Sequence, residues 1–230
     1  MKDFIENSTF FGVLITLLAY FIGTRLKKRF KTPLLNPLLV AIVLIISFLV
    51  ATGASYESYA AGSQYISYLL TPATICLALP LYQQWELLKK NWKAVLAGII
   101  SGVITSMLTV LALAILFHFD HQAYVTFLPK SITTAIGIGL SEELGGYVPV
   151  TVVVIVVTGV LGNIIAEQAL KLMRITDPIA KGIAIGSASH AVGTAKAMEL
   201  GPVEGAMSSL SIVVSGILTV IGASLFASFI

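Results

Sequence analysis

The chain has 230 residues, 57% hydrophobic and only 11% charged, with a net charge of +3 and a mean hydropathy of +0.96. A soluble domain coats its core with about 25% charged residues. This chain lacks that coat, which excludes a water-soluble globular enzyme and makes it an all-α polytopic membrane protein with lipid as its solvent. The positive excess lies in two short basic runs beside apolar segments, the pattern of cytoplasmic loops rather than of a nucleic-acid surface. The single cysteine, Cys76, excludes an intramolecular disulfide and a cysteine-cluster metal site.

The first apolar stretch, 8–24, follows Lys2, Asp3 and Glu6 and precedes the basic run Arg25-Leu26-Lys27-Lys28-Arg29-Phe30-Lys31. A cleavable signal carries its charge first, so this segment reads as a retained helix with its N-terminus outside and residues 25–31 inside. Asn36-Pro37 suits the start of a second span, 37–53, because Asn caps and Pro fits the first helical position. The stretch 67–82 is short and interrupted by Pro72 and Pro80. Lys89, Lys90 and Lys93 follow, flanked by Trp85 and Trp92, as at a membrane interface. A span over 94–117 carries Gly98-Ile99-Ile100-Ser101-Gly102, a small-residue face that permits close packing. His118 and His121 flank the next loop and read as surface residues. The stretch 123–141 is broken by Pro129, Lys130, Gly137 and Gly139; a plain span over 147–169 follows, then the basic loop Lys171, Arg174 and Lys181. The stretch 179–196 is again interrupted by Gly and Ser, and 206–229 is the last span. Each broken stretch is either a kinked span or a re-entrant segment. Non-helical backbone at membrane depth survives only when buried in protein or lining a watery cavity.

Two of the broken stretches align without gaps at an offset of 56: Thr133-Thr134-Ala135-Ile136-Gly137 over Ser189-His190-Ala191-Val192-Gly193, and Glu143-Leu144-Gly145 over Glu199-Leu200-Gly201. Each runs on into a long apolar helix. The basic loop at 171–181 lies inside only if 123–141 dips in and returns. One re-entrant segment plus one span is an odd number of crossings, so the second copy is inverted. The expected organisation is one transmembrane domain: N-terminal spans in 1–66, a broken segment plus span in 67–121, and inverted units at 123–171 and 179–229. Paired broken segments in inverted repeats are transporter architecture.

A charge at the bilayer centre costs about 2.5–3.5 kcal/mol on insertion scales, so buried ionisable residues mark function. Lys130 with Ser131, Thr133 and Thr134, and Ser189, His190, Thr194 and Lys196, are the expected halves of a substrate site. Hydroxyls, free backbone N–H groups at broken helices and a cation suit a small carboxylate. His190, with an unperturbed pKa of about 6.5, and Glu199 and Glu204 are the candidates for proton coupling. Lys196 and Glu199 are also spaced as an ordinary i,i+3 ion pair. No HExxH, GxSxG or P-loop is present. An adjacent Ser189 and His190 are not evidence of a triad. Neither an enzyme nor a bound metal or cofactor is expected.

Asn36-Pro37-Leu38-Leu39, Thr71-Pro72-Ala73-Thr74 through Pro80-Leu81-Tyr82, Pro129-Lys130-Ser131-Ile132-Thr133-Thr134 and Ser189-His190-Ala191-Val192-Gly193-Thr194-Ala195 resemble the signatures of the LrgB/CidB family over nearly the whole chain. Ala135 departs from the proline frequent after the paired threonines, and Lys196 stands where arginine is frequent. The resemblance implies a multi-pass protein of the bacterial inner membrane with one of two roles. One is an antiholin-like modulator of murein hydrolase activity and lysis, acting with a small LrgA/CidA-type membrane partner. The other is carboxylate transport, as in relatives linked to pyruvate uptake and in the plastid glycolate/glycerate translocator. The residues favour transport, because a holin needs no paired broken segments holding Lys and His; the expectation is a proton-coupled secondary carrier for a small monocarboxylate, with a homo-oligomer as a further expectation.

Overall fold

The computed structural model describes residues 10–30, 32 and 35–230, and no strand occurs among them. The charge signals at Lys2, Asp3, Glu6 and Lys31 lie outside the described residues. Four helical stretches are long and apolar enough to cross a bilayer: Tyr56–Gln83, Trp85–Leu116, Val148–Leu172 and Pro202–Phe229; Pro37–Thr52 is a shorter apolar helix. The chain divides after Cys76 into two compact units, a boundary inside the stretch 67–121 that the sequence groups as one.

The first unit holds α1 (Phe11–Phe30), α2 (Pro37–Thr52), α3 (Tyr56–Ser67) and α4 (Leu70–Cys76). α1 runs past residue 24 through Lys27, Lys28 and Arg29, because long basic side chains are good helix formers and complement a helix C-terminus. Asn36 caps α2, its Oδ1 accepting from the Leu38 N–H at 2.8 Å, with Pro37 in the first turn. α1 and α2 are antiparallel, with Phe11 beside Phe48 and Gly23 against Pro37, around Ala19, Ala41 and Ile45.

The second unit begins with α5 (Ala78–Gln83) and the 32-residue α6 (Trp85–Leu116). The interruptions at Tyr68–Leu69 and Leu77 precede Pro72 and Pro80 rather than coincide with them. Both prolines occupy first turns, where their missing N–H costs no intrahelical bond. α6 starts earlier than residue 94. At about 1.5 Å per residue it exceeds the roughly 30 Å hydrocarbon core, and the excess is the basic turn with its half-exposed tryptophans Trp85 and Trp92.

Both later broken segments are helical hairpins. In the first, α7 (His121–Phe127) stops before Leu128-Pro129, residues 128–133 are irregular, and α8 (Thr134–Glu143) returns. Pro129 cannot donate to the preceding turn, so the break forms although Ala135 replaces the frequent proline. Thr126 Oγ1 accepts from the Tyr147 N–H at the start of α9 (Val148–Leu172), Ser141 Oγ lies 2.7 Å from Thr151 Oγ1, and Gly137 packs on both Ile155 and Pro129. The chain therefore goes in to the level of Ile155 and comes back along α9.

The second hairpin is α10 (Pro178–Leu200), which leaves helical geometry at His190 with φ 42° and ψ −141°. Gly193 lies against Ile185, and Ile185 and Ala197 share an apolar cluster with Ala166 and Leu170. A straight helix would hold residues 185 and 197 about 18 Å apart. The first arm runs parallel to α11 (Pro202–Phe226), Gly182 meeting Met207 and Gly186 meeting Ser211. The second arm runs antiparallel to it, Thr194 meeting Ser208 and Met198 meeting Gly205.

The second arm follows α9 in the same direction, through His190 to Ile155, Asn163 to Val192 and Lys196 to Glu167. It opposes α11, so α9 and α11 are antiparallel and the two hairpin-plus-span units are inverted. Both tips sit at mid-span: His190 against Ile155 and Gly159 of α9, and Ile136 against Gly216 of α11.

Cysteines placed at Ile185 and Ala197 in a Cys76→Ser background will join on oxidation, read as a mobility shift after cleavage between them. A failure to crosslink, with 185 instead joining a cysteine one turn away, would restore a straight helix.

Candidate functional site

A cavity of about 930 Å³ lies between α6, the first arm of α10 and the tip of the first hairpin. Its mouth is formed by Asn91, Met173 and Asp177, at the end of the unit that carries the basic residues 89–93 and 171–181. It passes Gly98, Ser101, Gly102 and Thr105 and ends on Ser106, Thr109, Lys130, Ser131 and Ser187. Its α6 wall is small or hydroxylated from Ala94 to Thr109, while Ile179 and Ile183 make the α10 wall largely apolar.

Lys130 is the cation at the inner end. Its Nζ donates to Ser131 Oγ at 2.9 Å, and Ser131 Oγ lies 3.2 Å from Ser106 Oγ. It has no carboxylate partner among the described residues. Asp177, the carboxylate of the lining, is at the mouth and is engaged as the cap of α10, accepting from the Ala180 N–H at 2.9 Å. A cation held at membrane depth without a counter-ion is costly. A bound anion would offset that cost.

The two hairpins face the cavity alike. Ser131 and Ser187 are partners at the offset of 56, both 7% exposed. Ser131 bonds Ser106, and Ser187 packs on Gly102, one turn earlier on α6. Ser187 Oγ donates to the Ile183 carbonyl at 2.7 Å, and Thr109 Oγ1 donates to the Thr105 carbonyl at 2.7 Å. Their lone pairs remain free to accept from a hydroxylated or hydrated ligand.

A model of the LrgB-like family matches residues 16–229, the whole of this site included. The chain belongs to the LrgB-like family. No solved structure matches it significantly.

Within this LrgB-like chain the expected site residues fall into separate places. Lys130 and Ser131 line the cavity. Thr133 occupies the cap position of α8 with no side-chain cap bond, and Thr134 is its first residue; both are partly exposed and neither lines the cavity. Ser189 is pressed against Gly162 of α9, where any side chain would displace it. His190 Nε2 lies 3.0 Å from the Ile155 carbonyl, which can only accept, so Nε2 carries the proton. Its ring rests on Gly159, where a Cβ would come within 2.6 Å of Cε1. Thr194 Oγ1 donates to the His190 carbonyl at 2.9 Å and meets Ser208 Oγ at 2.7 Å. Lys196 pairs with Glu167 and Glu199, each at 3.3 Å. Glu204 is buried at the start of α11 against Gly201.

Ser189, His190, Thr194 and Lys196 thus dock the second hairpin onto α9 and α11 instead of facing Lys130. Spacing alone could not show this, because a residue with left-handed backbone turns the following arm to a new face. Ser101, Thr105, Ser106 and Thr109 were legible only as a polar stripe: hydroxyls at i, i+4 and i+8 in an apolar span are a lining signal easily taken for packing.

Lys196→Gln removes the shared cation, 20% exposed, of a network whose two glutamates are 45% and 52% exposed. It is expected to cost about 1 kcal/mol, as the loss of a partly exposed ion pair does, and to leave a folded protein by thermal melting in detergent. Failure of this variant to fold would instead mark Lys196 as a buried charge that its two glutamates must neutralise.

Proposed function

We propose that this LrgB-family protein is a secondary carrier of a small monocarboxylate of the pyruvate, glycolate or glycerate class, resident in a bacterial inner membrane. One observation carries the reading: the cavity reaches mid-span and ends on a cation, Lys130, that no carboxylate neutralises among the described residues, ringed by hydroxyls from both inverted units. A carboxylate placed between Lys130 and Ser187 would accept from the ammonium, while a 2-hydroxyl or bound water would donate to the free lone pairs of the serines and threonines. The volume exceeds that of such a substrate, consistent with a water-filled vestibule.

The cavity opens beside the basic loops, which the positive-inside rule puts in the cytoplasm. In the proposed cycle this is the inward-open pose. The second hairpin is locked on α9 through Gly159 and Gly162, while the first borders the cavity. Because the units are inverted, an exchange of these two poses opens the site to the other side. His190 belongs to this cycle as the docking group of the second hairpin, and we propose it as the proton-linked element. Neighbouring Glu199 and Glu204 lie farther from the tip, towards the α10–α11 turn. A small LrgA/CidA-type partner and self-association are compatible additions to a carrier.

The test is uptake of labelled pyruvate, glycolate and glycerate into proteoliposomes holding this chain alone and then with its partner. Saturable, mutually competitive uptake is expected. Lys130→Met is expected to reduce it at least about a hundredfold while melting at the same or a higher temperature, since a buried unpaired charge is removed. Partner-dependent release of an unrelated trapped dye, without saturable uptake, would instead indicate the antiholin-like role.

His190→Gln carries an amide N–H near the position of Nε2 and so keeps a donor for the Ile155 carbonyl, but cannot titrate. Uptake by this variant is expected to lose its dependence on pH between 5 and 8 while retaining measurable rate. A wild-type pH profile in His190→Gln would remove His190 from proton coupling.

A further inference from the structure

A second cleft, of about 400 Å³, lies at the basic end of the second unit between the last turn of α9, the α9–α10 connection and the first turn of α10. Three cations line it: Lys171, Arg174 and Lys181. Its one acidic wall residue, Glu167, is already engaged by Lys171 at 2.9 Å and Lys196 at 3.3 Å. Arg174 and Lys181 have no ion-pair partner among the described residues. The rest of the wall is apolar or hydroxylated, with Leu170, Ile175 and Leu200 beneath and Thr176 at the side.

The backbone at Arg174 adds an independent observation. Arg174 has φ 57° and closes α9: its N–H donates to the Lys171 carbonyl at 3.1 Å, and the next N–H, of Ile175, donates to the Leu170 carbonyl at 2.9 Å. This is the position and geometry at which glycine is strongly preferred, because a Cβ is strained in left-handed backbone. An arginine here tolerates strain where glycine would have none, and strain retained at a cleft points to use of the side chain. Beside it, Leu172 and Met173 are 85% and 72% exposed, an apolar rim at the end of a membrane-spanning helix.

We propose that this cleft binds the phosphate of an anionic phospholipid from the cytoplasmic leaflet. The planar guanidinium of Arg174 takes two phosphate oxygens, Lys181 and Lys171 supply point charges, and the acyl chains lie along Leu172 and Met173. The site is separate from the Lys130 cavity and does not depend on the transport reading. It shares only the α9–α10 connection with the mouth of that cavity, where Met173 and Asp177 stand.

The experiment is thermal melting of the purified full-length chain in nanodiscs of phosphatidylcholine, with and without phosphatidylglycerol, and separately with inorganic phosphate. Phosphatidylglycerol is expected to raise the midpoint by about 2–4 °C. Arg174→Gly is the informative variant: relief of backbone strain should raise its midpoint in phosphatidylcholine, while the phosphatidylglycerol increment disappears. Lys181→Gln should lower the increment without that compensating rise. An undiminished increment in both variants would mean that these residues serve topology alone and would overturn the proposal. Equal stabilisation by millimolar inorganic phosphate in phosphatidylcholine would overturn the lipid assignment in favour of a soluble phosphate.

Discussion

An interrupted helix at membrane depth exposes amide and carbonyl groups where no bulk water can satisfy them, and the second unit is organised around sealing two such interruptions. At His190 the seal is made by side chains on a neighbouring span. The imidazole donates to the Ile155 carbonyl, Asn163 donates to the Val192 carbonyl at 2.8 Å, and Thr194 donates to the His190 carbonyl. These bonds form only because Gly159 and Gly162 let the hairpin tip approach the α9 backbone. At the other tip, Pro129 lacks the donor that would need sealing, and turn bonds from Lys130 N–H to the Phe127 carbonyl and Ile132 N–H to the Pro129 carbonyl close most of the remainder.

That difference in sealing separates the roles of two tips that are alike in sequence. The His190 tip is consumed by its docking, so its polar side chains point into protein. The Lys130 tip satisfies its own backbone and leaves its side chains for the cavity. The shared element is the serine pair, Ser131 and Ser187, which both hairpins present to adjacent turns of α6. α11 adds a buried hydroxyl stripe, Ser208, Ser211, Ser215 and Thr219, in which Ser215 Oγ is fully buried with no partner among the described groups.

Electrostatics orders the molecule along the membrane normal. Basic side chains collect at one end, where they direct topology and border both cavities. In the middle Lys130, unneutralised among the described residues, meets hydroxyls. Glu167 and Glu199 near the second hairpin are absorbed by Lys171 and Lys196, and Glu204, buried at the start of α11, is outside the lining of the Lys130 cavity. An anion entering from the basic end would therefore meet favourable potential before it meets Lys130.

Composition alone dictated a membrane-embedded helical protein, since too few polar side chains exist to cover a soluble core. Hydropathy located the long spans over 94–117, 147–169 and 206–229 to within a few residues, apart from the early start of α6. Asn36-Pro37 marked a helix start that forms as capping chemistry requires. Pro129 and the Gly/Ser-rich run around His190 marked the breaks, because missing donors and small residues act locally. Direction was a different matter. A break does not itself state whether the chain continues or turns back; the basic loop at 171–181 asked for a return at 123–141, but at 179–196 the packing of Ile185 on Gly193 and its shared cluster with Ala197 decided it. The partition of the polar residues was likewise tertiary: whether Ser187 or Ser189 faces the cavity depends on a single left-handed residue and on which neighbouring helix carries glycine at that level, neither of which is encoded within the segment itself.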